Sequence, residues 1–320
     1  MISKSSWPLM LLGGTVLLAA AAAAYFAGRP SAGRKAERLT VCTHLFALHE
    51  WAARVAGPDA DAVLLEGSGG DPHTFSLNPA DATQIARAHV LLLIGLDFDA
   101  WAARAVENAP GGIQVWEARA WVKLREMGEA DDHAHHDHGH GHDHHHHHDH
   151  GNEDPHLWLD PDRAAKVVEE LGARFGTLDP AHAEGYTQRA AAYAAELRAC
   201  GKEIDELAGQ VNGRLLVVFH DAYGYLFDRL GLKLSGTIQA SPGVEPTPRD
   251  VTEALAKLRE IGQKVVFAEP GNQAAAEAIA RELGGPVVLL DPLESTGFAP
   301  GQSYLDRLRA NLAKLKEHLP

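Results

Sequence analysis

The chain has 320 residues, 45% of them apolar, and a formal net charge of −14. That is enough apolar material for two cores, and an acidic surface of this size would repel a polyanion, which excludes nucleic acid as a partner. Two cysteines, Cys42 and Cys200, are too few and too far apart for a disulfide framework, a zinc knuckle or a redox pair, and read as two ordinary buried thiols.

Lys4 precedes an uncharged run from Trp7 to Ala27, with small residues at Ala22, Ala23 and Ala24. A positive start followed by an apolar stretch reads as an export signal. Residues 1–27 are therefore expected to be a signal peptide, or an anchor if the segment is retained. Either way the folded part is placed in the periplasm.

From Arg38 short apolar runs alternate with amphipathic helices. Leu39–Thr43, Ala62–Leu65, Val90–Ile94 and Ile113–Trp116 read as strands, and this alternation predicts parallel α/β architecture. Residues 36–178 form an expected N-terminal lobe. The pattern is broken at 128–152, where the chain is almost entirely His, Asp and Gly. Such a segment cannot bury enough apolar surface to offset its ordering entropy, and is expected to be a disordered loop.

A helix is expected at Pro161–Phe175, then a much longer one over 180–211, with apolar residues such as Tyr186, Ala190, Tyr193 and Leu197 at three-to-four-residue spacing. A helix of that length is suited to joining two lobes rigidly. A second α/β set over 212–320 has strands at Leu215–Phe219, around Leu234–Ile238, at Val265–Ala268 and at Val287–Leu290. The expected fold class is thus α/β. It has two Rossmann-like lobes, each a mostly parallel four-stranded sheet with helices, joined by one long helix, with a ligand in the cleft.

Asp-Pro-His occurs twice, at 71–73 and 154–156. Proline presets φ and the aspartate can brace the turn, so His73 and His156 are each held as a metal ligand should be. His220 follows the strand Leu215–Phe219, before a helix that Asp221 could cap. Asp291 follows Val287–Leu290 in the same way. In open α/β sheets these strand ends face the ligand crevice. His44, His49, His89, His182 and His318 read instead as packing or surface histidines. The segment His133, His135, His136, His138, His140, His142, His144, His145, His146, His147, His148 and His150, interleaved with aspartates, reads as a set of weak, exchangeable metal sites.

Taken in order, several motifs resemble one family. They are Asp71-Pro72-His73, Asp154-Pro155-His156-Leu157-Trp158-Leu159-Asp160-Pro161, Phe219-His220-Asp221-Ala222-Tyr223, Phe267-Ala268-Glu269-Pro270 and Leu290-Asp291-Pro292 before Tyr304-Leu305. Together they resemble the zinc and manganese solute-binding proteins of ABC importers, specifically the ZnuA-like zinc branch with a histidine-rich loop. The likeness runs from about Leu39 to Leu319. It implies two lobes on a rigid helix, metal held between them by His73, His156 and His220, and Asp291 or water as a fourth ligand. It also implies a membrane permease as partner, with a periplasmic zinc chaperone as a further candidate, and a monomer.

Manganese members pair two histidines with two carboxylates. Here the third position is His220, and Gln239 stands where those members place glutamate. Three imidazoles favour Zn2+. The alternatives are a manganese-binding protein and a periplasmic zinc chaperone or sensor without a transporter. An enzyme is not expected: there is no His-Glu-x-x-His helix, and Glu269, the nearest candidate base, lies in a motif shared with the non-enzymatic family.

Overall fold

A computed structural model describes residues 38–67, 72–107, 112–126, 153–239, 246–297 and 299–319. The expected signal segment 1–27, the histidine-rich stretch 128–152 and Asp71 lie outside the described residues.

The first half contributes β1 (Thr40–Thr43), α1 (Phe46–Ala56), β2 (Asp61–Leu64), α2 (Pro79–Arg87), β3 (Val90–Leu93), α3 (Trp101–Glu107) and β4 (Gln114–Glu117). After the histidine-rich stretch come α4 (Pro161–Leu178) and α5 (Ala183–Val211). The second half contributes β5 (Leu215–Val218), α6 (Gly224–Leu230), β6 (Lys233–Thr237), α7 (Pro248–Glu260), β7 (Val266–Ala268), α8 (Gln273–Leu283), β8 (Val287–Leu289) and α9 (Tyr304–His318). The strand ends agree with the apolar runs to within a residue or two, most directly at β3 and β7, where burial along the whole strand makes it a continuous apolar segment.

The two sheets repeat one topology. Their orders are β2-β1-β3-β4 and β6-β5-β7-β8, and every described strand pairing is parallel. In each sheet the chain reverses its direction of travel at the second strand in space, β1 or β5. Crevices at such switch points, outside the carboxyl ends of strands, are where open α/β sheets bind ligands.

Helix starts carry legible chemistry. Asn78 with Asp81, Thr247 with Asp250, and Ser303 with Asp306 form reciprocal capping boxes at α2, α7 and α9. Asp160 caps α4 with Pro161 in its first turn. The expected cap of Asp221 is not formed: α6 begins at Gly224 with Tyr223 before it and no side-chain cap.

The 29 residues of α5 extend about 44 Å at 1.5 Å per residue. Its buried stripe, including Tyr186, Tyr193, Leu197, Ile204 and Val211, belongs to one apolar core that also takes in Val41 and Val90 of the first sheet and Leu216, Val218 and Phe267 of the second. The two sheets are therefore packed on a shared spine. Cys42 and Cys200 are separate buried thiols, pushed up to about 12 and about 11 chiefly by burial. Neither offers a thiolate for metal.

Candidate metal centre

His73 stands in a single 3-10 turn, Pro72–Thr74, after β2. His156 immediately precedes another, Leu157–Leu159, whose three residues are fully buried. His220 follows β5 directly. These three histidines and Glu294 place one ligand atom each within 4.8 Å of one another. The imidazole centroids form a nearly equilateral triangle, with sides of 5.3 Å (His73–His156), 5.0 Å (His73–His220) and 5.2 Å (His156–His220). Glu294 Oε1 lies 3.3 Å from His73 Nε2 and 3.9 Å from His156 Nε2.

Each ring is held from behind. Asp154, completely buried, accepts the backbone N–H of His156 at 2.9 Å and faces its Nδ1 at 2.7 Å, both on Oδ1. A carboxylate there puts the proton on Nδ1 and leaves the Nε2 lone pair free. His156 Nε2 is buried without a hydrogen-bond partner, a costly condition that a metal bond would relieve. Glu269, at the end of β7, sits 3.7 Å from His220 Nδ1. The rings of Phe98 and Trp158 pack edge-on against His73 and His156, at 4.9 and 5.1 Å.

The charges divide the ligands. Burial lowers the pKa of His156 and prevails over Asp154. Burial acts the same way on His220, but the carboxylates of Glu269, Glu294 and Asp221 outweigh it and leave its pKa raised. Burial pushes the Glu294 carboxyl up, and the hydrogen bond from His73 with the charge of the three imidazoles brings it below the usual range. The result is three imidazoles converging on one ionised oxygen donor. Tetrahedral zinc at 2.0–2.1 Å from nitrogen needs ligand atoms about 3.4 Å apart; His73 Nε2 and Glu294 Oε1, at 3.3 Å, meet this, and the remaining ligand atoms, within 4.8 Å of one another, would draw in on binding. Asp154→Asn is expected to weaken zinc binding about 10–100-fold, the usual effect of losing the partner of a ligating histidine, as measured by chelator competition.

The family model of the zinc-uptake complex component A, periplasmic (ZnuA), matches residues 41–318. The chain belongs to the ZnuA family. A high-affinity zinc uptake system protein ZnuA of Brucella abortus is 32% identical over 96% of this chain and 98% of the relative. Among solved structures, the laminin-binding protein Lmb of Streptococcus agalactiae, described as having adhesin and metal-transporting activity, is 28% identical. It covers 88% of this chain and all of its own, with a TM-score of 0.72. Zn(II)-bound AdcA of Streptococcus pneumoniae is 25% identical, covering 88% of this chain and 58% of its own, with a TM-score of 0.71.

Of the four ligands expected from sequence, the fold brings three together and places Asp291 elsewhere. Both Asp291 oxygens are taken by Arg307, from Nε at 2.5 Å and Nη2 at 2.6 Å, and Oδ1 also accepts the Leu293 N–H at 2.8 Å. The carboxylate in the cluster is Glu294, three residues on. Its presentation is built by Asp291: Leu293 is turned into the left-handed region at φ 58°, Arg307 also holds the Ser295 carbonyl at 2.8 Å, and the Glu294 carbonyl accepts the Phe46 N–H at 2.9 Å. The only sequence signal for Glu294 is a second acid close behind the strand end. Telling it from Asp291 requires knowing which one meets the arginine.

The remaining candidates fall outside the cluster. Gln239 is buried after β6, where its Oε1 accepts from Asn272. His44 is buried beside Asp99, 3.4 Å away, and is held down to about 3 by burial and by His73. His89 accepts the Thr40 N–H, and His182 pairs with Asp179 on the surface. The twelve histidines from His133 to His150 lie outside the described residues.

Proposed function

We propose that this protein captures Zn2+ in the cleft between its two sheets through His73, His156, His220 and Glu294, and delivers it to the permease of an ABC importer outside the cytoplasm, without chemical turnover. The observation that carries this reading is the triangle of three imidazoles closed by one buried carboxylate. Late first-row metals suit imidazole, whereas manganese favours more oxygen donors. The relatives support the same direction: one is named for high-affinity zinc uptake, one is the Zn(II)-bound form of AdcA, and the laminin-binding protein Lmb is described as also having metal-transporting activity. An export signal at 1–27 agrees with a site that meets metal before the membrane does.

The stretch 128–152 has a separate role in this scheme, in which its histidines gather zinc weakly and raise its concentration beside the tight site. The chain enters and leaves this stretch at Glu126 and Glu153, which pair as an antiparallel bridge. Deleting 131–150 and titrating with zinc should remove the weak sites and leave one tight equivalent. The same titration with manganese in competition should show zinc strongly preferred. Loss of the tight site on deletion, or preference for manganese, would reject this division of labour or the metal assignment respectively.

A further inference from the structure

Arg125 touches no ligand of the cluster, yet it stands where three parts of the molecule meet. Its carbonyl accepts the Asp154 N–H at 2.9 Å, closing the base of the histidine-rich stretch. Its Nη1 donates to Asp154 Oδ2 at 3.1 Å, the oxygen not used by His156. Its Nε donates to Asp228 Oδ2 on α6 at 2.7 Å. Its backbone N–H donates to the hydroxyl of Tyr225, also on α6, which in turn donates to the Asp154 carbonyl at 2.8 Å. Gly224 makes this fit: a Cβ there would lie 2.5 Å from Arg125 Nη1 and 2.7 Å from Asp154 Oδ2, so only glycine lets the start of α6 press against the pair.

We infer that Arg125 is a positioning residue that couples the second lobe to the metal site, holding His156 through Asp154 and setting how long zinc is retained. This rests on the reading of His156 as a zinc ligand. Asp154 is fully buried and its two oxygens are divided, one for His156 and one for Arg125. Without the guanidinium, Oδ2 loses its charged donor, and the carboxylate can turn away from His156 Nδ1. Moving α6 away from the first lobe must either break Arg125–Asp228 or draw Arg125 off Asp154. Movement of the second lobe is thereby transmitted to an imidazole carried by the first. On its outer side Arg125 lines a cavity of about 740 Å3 with Arg163, Tyr225 and Arg229, so water can replace a shortened side chain and the variant should fold.

The test compares the full-length wild type with Arg125→Gln, Asp228→Asn and His156→Ala. It measures zinc release to a chelator by stopped flow, the association rate, the d–d spectrum with Co2+ in place of zinc, and melting of the metal-free protein. Arg125→Gln should release zinc about 10–100-fold faster, with an altered cobalt spectrum and little change in association rate. Asp228→Asn should instead slow release, since it breaks the side-chain link to α6 while leaving Arg125 on Asp154, so that movement of the second lobe no longer draws the guanidinium away. A lower melting temperature with wild-type release and a wild-type cobalt spectrum would reduce Arg125 to a structural clasp and overturn the inference. Should Arg125→Gln fail to fold, wild-type release from Asp228→Asn would overturn the coupling by itself. Tight zinc lost in His156→Ala but released at the wild-type rate from Arg125→Gln would sink this inference and leave the site intact. Absence of tight zinc from the wild type would sink both.

Discussion

Replacing Asp291 by alanine should destabilise the metal-free protein by about 3–5 kcal/mol, the cost of leaving one partner of a buried ion pair uncompensated. Arg307 is 1% exposed and would keep its charge in an apolar setting, against the ring of Phe46 4.1 Å away. The loss extends to the turn. Asp291 Oδ1 accepts the Leu293 N–H, and Asn311 grips the Asp291 backbone from both sides, receiving its N–H and donating to its carbonyl. Folded domains have only about 5–15 kcal/mol of net stability, so urea unfolding of the apo protein would register the change as a large fall in midpoint. Zinc affinity should fall as well, since Glu294 is delivered by the same turn. Glu294→Gln provides the contrast, weakening zinc with little cost to apo stability. If instead Asp291→Ala weakened zinc while apo stability stayed unchanged, Asp291 would be acting as a ligand and Arg307 as a bystander.

His220→Ala is expected to reduce zinc affinity by more than about 100-fold, taking the roughly 10–16 kcal/mol of a four-ligand zinc site as shared among its ligands. The effect on selectivity is equally informative. His220 is the third imidazole, and its replacement by aspartate would leave two imidazoles and two carboxylates, a donor set that favours manganese over zinc relative to the wild type. Competition of the two metals for wild type, His220→Ala and His220→Asp reads both effects at once. Unchanged zinc affinity in His220→Ala would remove the second lobe's histidine from the site, and with it the reason for calling the site zinc-selective.

Several features are legible in the chain alone because they follow from local chemistry. Strands such as Val90–Leu93 are buried on both faces and so appear as unbroken apolar runs. The α5 helix announces itself by spacing, and the Asp-Pro-His turns by proline and aspartate. His156 is the clearest case: Asp154, two residues earlier, accepts both its backbone N–H and its ring N–H, a bond that sequence proximity nearly guarantees. Asp221 shows the limit of the same reasoning. A strand-end acid before a helix reads as a cap, but α6 starts two residues later than such a cap requires. Asp221 is instead half-buried, and that burial, with the charge of Asp154, pushes it up to about 6.

Periodicity and contacts within a few residues were enough to read an α/β chain of two similar halves joined by one long helix and to single out His73 and His156, whereas His220 stood out by its strand end only together with the family resemblance. Which carboxylate completes the cluster had to wait for the packed fold, because Asp291 and Glu294 differ in what reaches them from α9 and from the start of α1, not in their local sequence. The same holds for Arg125, whose partners Asp154, Tyr225 and Asp228 lie 29, 100 and 103 residues away. Long-range pairing of charges depends on how helices pack, and no local pattern in the chain encodes it.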